Sequence, residues 1–360
     1  MDTLDTCTSV LEPWIDRPIP APPADDPTAH TPSRVRGMLL GTAIGDALGN
    51  TSEGRTPAER RSRHGEIRDY LPNWWADHRA VGAPSDDTQL TFWTLESLLR
   101  KGRLAPADVA ATFAGDRIFG IGKTVTAFLM AYRRGAAWWE AGQPSAGNGA
   151  IMRIAPVILS HLRHLTTALW RDVIAATVLT HRDEAAVATG IGFVGVLAEC
   201  LRRRKDDIPT PCWWPETFLH YARPVETGAI YLHDGPAGSF RGSLCDRVEQ
   251  EVLPAVDAGL STLDAAERWH SGAYLLETVP CVLHILAVHG HQAEEAVVRA
   301  VNDTWDNDTV AAVVGAAVGA LHGADAFPAR WRDGLLGRTR EADDGRVQGL
   351  IEEALRVFVL

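Results

Sequence analysis

The chain has 360 residues, 46% of them hydrophobic, enough apolar material for a large core arranged as one large domain or two. Its 46 acidic residues outnumber 35 basic ones, and the resulting charge of −11 argues against a nucleic-acid groove and against docking on an anionic membrane surface. The five cysteines form no CxxC pair, which fits a reducing compartment better than a disulfide framework. With no apolar leader at the N-terminus, the expectation is a soluble, cytoplasmic monomer.

Residues 1–33 carry seven prolines and six acidic residues with little periodicity, and read as an extended, flexible arm in which Trp14 and Ile15 are the one candidate docking point. From Arg34 the pattern turns helical, and residues 34–360 are expected to form a single domain. Apolar positions recur with a period near 3.6 over about 34–48, 88–101, 106–115, 122–134, 150–163, 166–179, 183–204, 244–259, 274–289, 292–302, 309–322 and 345–358. The spacing predicts a compact all-α, multi-helix architecture. Within the first helix Gly37, Gly41, Gly45 and Gly49 recur every four residues. Each glycine costs up to about 1 kcal/mol relative to alanine inside a helix, so this stripe implies a second helix packed very close. Gly315 and Gly319 repeat the pattern late in the chain.

Between the helices, 65–84 and 205–243 read as loops, with Ala229–Leu232 the best short strand candidate. Three Trp-Trp pairs stand out, Trp74-Trp75, Trp138-Trp139 and Trp213-Trp214. Each reads as a core anchor or as a stacking surface for a ligand.

Chemistry concentrates in a few places. Gly45-Asp46-Ala47-Leu48-Gly49 ends the first helix and delivers Glu53 just beyond it. Ser85-Asp86-Asp87-Thr88 and Asp306-Asn307-Asp308-Thr309 each pack two carboxylates and a hydroxyl into four residues ahead of an apolar helix. Such residues serve as N-caps, and acidic groups suit the first turn of a helix. They are also hard oxygen donors suited to Mg²⁺, Mn²⁺ or Ca²⁺. If the fold brings both clusters together, four carboxylates at close range need cations between them, and a binuclear metal site follows. Ser145-Ala146-Gly147-Asn148-Gly149-Ala150 is a small-residue loop whose bare N–H groups could hold a phosphate or pyrophosphate. Thr180-His181 opens a further helix.

Taken in order, these motifs resemble the ADP-ribosylglycohydrolases, a group that includes the dinitrogenase reductase-activating glycohydrolase. The resemblance covers about 34–325 and rests on the glycine-striped helix with Gly45–Gly49 and Glu53, on Ser85–Thr88, on Ser145–Pro156, on Thr180-His181, and on Asp306–Ala312. It implies an all-α domain with two Mg²⁺ or Mn²⁺ ions in a cleft, which removes ADP-ribose from a modified protein side chain or a small molecule. Carried over residue by residue, it makes Ser85, Asp86, Asp87, Asp306, Asp308 and Thr309 the metal ligands, with Glu53 beside the metals and Glu53 and Asp87 as the catalytic pair. It places the diphosphate on Ser145, Gly147, Asn148 and Gly149, with His181 at the ribose or adenine end. Ser85 stands where many members have Thr, and Trp305 and Asn307 depart from a glycine-rich approach to the last motif and could reshape the pocket wall.

Two other readings compete. A non-catalytic binder, of the immunity type that blocks an ADP-ribosyltransferase toxin by contact, draws on Trp14 and the Trp-rich loops. A His-Asp type phosphohydrolase would need His233-Asp234 to sit with further metal-binding histidines.

Overall fold

In the computed structural model, residues 8–23, 32–204, 207–236 and 238–360 are described. The fold is all-α, as the periodicity predicts, with two small antiparallel ribbons on its surface, Pro72–Asn73 with Arg79–Ala80 and Tyr231–Gly235 with Gly238–Gly242. One connected hydrophobic core runs from Leu11 to Phe358.

The centre of the molecule is the antiparallel pair formed by the helices Pro32–Gly49 and Asn307–His322. A Cβ built on Gly37 would lie 2.4 Å from the Gly319 oxygen, one on Gly41 2.1 Å from the Gly315 oxygen, and one on Gly45 2.0 Å from the Ala311 oxygen. Real Cβ atoms do not come so near a backbone, so the two helices meet main chain to main chain only because the side chains are missing. The stripe ends with Gly49 against the Asp308 backbone. It therefore sets the C-terminal end of one helix, with Asp46 and Glu53, beside the start of the other, with Asp306 and Asp308.

Several local expectations change. In the N-terminal arm, Thr8–Ile15 form a helix, Leu11 is buried, Trp14 and Ile15 pack on the core, and the Trp170 indole donates to the Pro20 carbonyl at 2.8 Å. This part is docked, whereas residues 1–7 and 24–31 lie outside the described residues. The 205–243 segment is not a loop throughout. It contains the helix Trp213–Ala222, which lays Trp214, Phe218, Tyr221 and Ala222 on the helix Glu184–Arg202, where Gly192 and Gly195 make room for the Phe218 and Tyr221 rings. The stretch read as a helix over 150–163 is two 3-10 segments, Ile151–Arg153 and Ala155–His161, because Pro156 has no N–H to continue an α ladder. The helix Glu184–Arg202 is long and apolar enough to cross a membrane, yet 89% of its 18-residue apolar window is buried inside the protein.

Candidate active site

The N-terminal turns of Asp86–Lys101 and Asn307–His322 point at one another across a cavity of about 430 Å³. Glu53, Asp86, Asp87, Asp306, Asp308 and Thr309 line it together with Gly147, Asn148, Gly149 and His181. The two acidic clusters, more than two hundred residues apart in sequence, thus converge. Oxygens of Asp46, Asp87 and Asp308 lie within 4.8 Å of one another, and so do oxygens of Glu53, Asp306 and Asp308. Asp308 belongs to both triads, so the arrangement has two lobes.

A capping role does not account for these residues. Ser85 and Asp306 occupy the N-cap positions, but neither side chain caps its helix. Ser85 instead donates its hydroxyl to Asp46 at 2.7 Å, and Asp306 accepts from the Asn148 amide. Burial pushes Asp86, Asp87 and Asp308 well above the usual carboxylate range, with the neighbouring carboxylates adding to it, and it raises Asp306 and Glu53 as well. Oδ1 of Asp87 is buried with no hydrogen-bond partner among the described residues. An all-oxygen donor set with an orphaned carboxylate oxygen and surplus negative charge fits hard divalent cations.

Asp46 is a site residue that sequence reasoning named only as part of the Gly45–Gly49 run. It is fully buried and accepts from Asn50 Nδ2, from the Ser85 N–H and hydroxyl, and from the Thr88 N–H and hydroxyl at 2.5 Å. Both of its oxygens are saturated by these donors, which makes Asp46 the anchor of the Ser85–Thr88 turn and not a free ligand, despite its proximity to Asp87. Asp86 lines the cavity outside both triads.

Gly147, Asn148 and Gly149 also line the cavity, whereas Ser145 does not, its hydroxyl being shared with Thr124 at 3.0 Å and with the Gly147 N–H at 3.2 Å. A Cβ on Gly149 would meet the His181 ring at 3.0 Å, so the loop lies tightly over that ring. His181 is buried, and burial lowers its pKa to about 3, which keeps it neutral. Thr180 Oγ1 accepts from Arg153 at 2.6 Å and lies 2.8 Å from His181 Nδ1. Because the Thr180 oxygen already accepts from Arg153, its hydroxyl proton goes to Nδ1, which leaves the ring proton on Nε2, facing the loop. Lys123, at the start of the helix Lys123–Arg133, also lines the cavity. Its signal in the sequence is Gly120-Ile121-Gly122-Lys123-Thr124, small residues leading into a cation at a helix start.

Trp305 and Asn307 do not form part of the cavity wall. Trp305 packs on His270 with ring centroids 4.6 Å apart, and the buried Asn307 donates its amide to the carbonyls of Gly49 and Val301 and to Ser52. His233 pairs with Glu277 at 2.8 Å on the second ribbon, which leaves a His-Asp metal site without support.

With this geometry in place, comparison with known proteins is decisive for the class. The ADP-ribosylglycohydrolase family model matches residues 27–358, and the chain belongs to that family, whose activity is hydrolytic removal of ADP-ribose. It is 26% identical to the ADP-ribosyl-[dinitrogen reductase] glycohydrolase of Rhodospirillum rubrum over 85% of this chain and 90% of that one. It is 25% identical to the ADP-ribosylarginine hydrolase Tri1 of Pseudomonas putida, over 83% of this chain and 73% of that one. A solved structure described as an ADP-ribosylglycohydrolase-related protein complex superposes with a TM-score of 0.67 at 25% identity, covering 91% of this chain and 97% of the other.

Proposed function

We propose that the protein is a divalent-metal-dependent hydrolase that releases ADP-ribose from a modified protein side chain, and so reverses ADP-ribosylation in the cytoplasm. The observation that carries this reading is the convergence of Glu53, Asp87, Asp306 and Asp308 in one cavity that a glycine loop and a neutral histidine also line. Two Mg²⁺ or Mn²⁺ ions, held by Asp87, Asp306 and Asp308 with Ser85, Asp86 and Thr309 as further donors, would supply positive charge to hold the ribose hydroxyls and to lower the pKa of a water.

The remaining work falls to the chain's own groups. The Gly149 N–H, with Lys123 nearby, takes the diphosphate, and His181 Nε2–H offers a neutral donor beside it. Asp87 orients the attacking water and accepts its proton. Glu53, exposed at the mouth, positions the ribose and returns a proton to the departing acceptor as the bond to the anomeric carbon breaks. Replacing Glu53 by Gln and Asp87 by Asn in separate variants should each lower kcat on an ADP-ribosylated protein by about 10²–10⁴-fold. Turnover near wild type in both would remove this assignment.

Of the features that motivate an immunity-type binder, Trp14 packs on the core and Trp138 and Trp214 are buried, whereas Trp74 and Trp75 are exposed. Opposition to an ADP-ribosylating toxin remains compatible with hydrolysis, which would undo the modification without contact.

A further inference from the structure

A second cavity of about 210 Å³ adjoins the first and shares Glu53 and Gly120 with it. Its walls include Asn50, Trp75, Arg117, Phe119, Arg338 and Glu341, and none of the glycine-loop residues. Unlike the other two Trp-Trp pairs, Trp74 and Trp75 stand out from the surface, 71% and 67% exposed. They sit on the turn of the Pro72–Ala80 ribbon, where Asp77 and His78 both hold positive φ, at 54° and 59°. Non-glycine residues enter that region at a cost, so the turn is held by its surroundings. The holding contacts lead back to the site. Trp75 N–H donates to Asn73 at 2.8 Å, Asn73 donates to Thr51 at 2.9 Å, and Arg338 donates to the Trp75 carbonyl at 3.0 Å.

The charges sort by pairing. Arg117 pairs with Glu341 at 2.8 Å and Arg338 lies 3.5 Å from Asp344, which leaves Glu53 as the cavity's carboxylate without a cationic partner. The Trp75 ring already carries a flat cation, since the Arg117 guanidinium carbon lies 5.6 Å from its centroid.

Building on the hydrolase reading above, we propose that this second cavity is the acceptor side of the active site. It receives the arginine side chain of an ADP-ribosylated protein, whose guanidinium stacks at Trp75 and faces Glu53 while the ADP-ribose lies in the larger cavity. Trp75 then sets acceptor specificity without touching the nucleotide. Gly120 forms the saddle between the two spaces, with a Cβ there meeting Asp86 at 3.3 Å.

The test compares Trp75→Ala with wild type, with Mg²⁺ or Mn²⁺ present. It reads KM for an arginine-ADP-ribosylated peptide and the Kd of free ADP-ribose by calorimetry. The expected result is a KM raised about tenfold, or about 1.4 kcal/mol, with the ADP-ribose Kd within twofold of wild type and with Trp75→Phe recovering most of the loss. An unchanged KM overturns the proposal, and so does a Kd that rises in step, which would assign the cavity to the nucleotide. A wild type that cleaves a serine-linked peptide but not an arginine-linked one overturns the acceptor assignment and leaves the hydrolase intact. Failure to bind ADP-ribose at all would overturn the hydrolase reading and this proposal with it.

Discussion

Asp46 shows how one buried side chain organises a site it does not line. Its five donors come from three places in the sequence neighbourhood of two helices, and they fix the turn that aims Asp86 and Asp87. Asp46→Ala would strand the N–H groups of Ser85 and Thr88, and should cost about 3 kcal/mol in urea unfolding. Unchanged stability would mean that the turn holds itself. His181 gives a pH signature. Its pKa of about 3 lies below the ordinary 6.5, so between those values the unfolded chain binds a proton that the folded one does not. Its contribution is complete above pH 6.5 and is lost as pH falls, by up to about 1.4 kcal/mol per unit. The His181 ring resonances should not titrate between pH 5 and 8 in NMR, and an inflection near 6.5 would contradict its burial as a neutral donor.

At the scale of elements, the glycine stripe is a positioning device as much as a packing one. Gly315→Ala gains about 1 kcal/mol of helix propensity but sets a Cβ 2.2 Å from the Gly41 oxygen, a backbone atom that cannot swing aside. The clash should prevail, with a net loss of about 2 kcal/mol or more and a displaced Asp308. Gly349, within the helix Arg346–Ala354, has nothing within 4 Å of a built Cβ, so Gly349→Ala should stabilise by about 0.5–1 kcal/mol. Equal effects of the two substitutions in thermal melts would show that propensity alone governs both. The stripe was legible in the sequence because its period matches a helix face. The Trp213–Ala222 helix was not, because its Trp, Pro and neighbouring Gly content masked the apolar stripe at Trp214, Phe218 and Tyr221. Trp74-Trp75 stood out as a candidate stacking pair, but its grouping with Arg117 and Arg338 was out of reach for another reason. They come from three separate segments with no shared motif, and only the fold makes them neighbours.

Across the whole molecule, the two acidic motifs could be read from the residues as a pair and, through the family resemblance, as one metal site, but only the fold shows that they converge. Each alone has the composition of a helix cap, and the deciding facts are spatial, namely Ser85 turned to Asp46, Asp306 turned to Asn148, and Asp87 Oδ1 left without a partner among the described residues. The antiparallel helices Pro32–Gly49 and Asn307–His322 join the two ends of the chain around that cluster, and the family match covers residues 27–358. The most direct measurement is release of free ADP-ribose from a panel of ADP-ribosylated proteins with and without Mg²⁺ or Mn²⁺, by wild type and by an Asp306→Ala/Asp308→Ala variant. Release that requires the metal and falls by at least about 10²-fold in the variant is the predicted result. Release that is unaffected by a chelator, or that survives in the variant, would contradict the account.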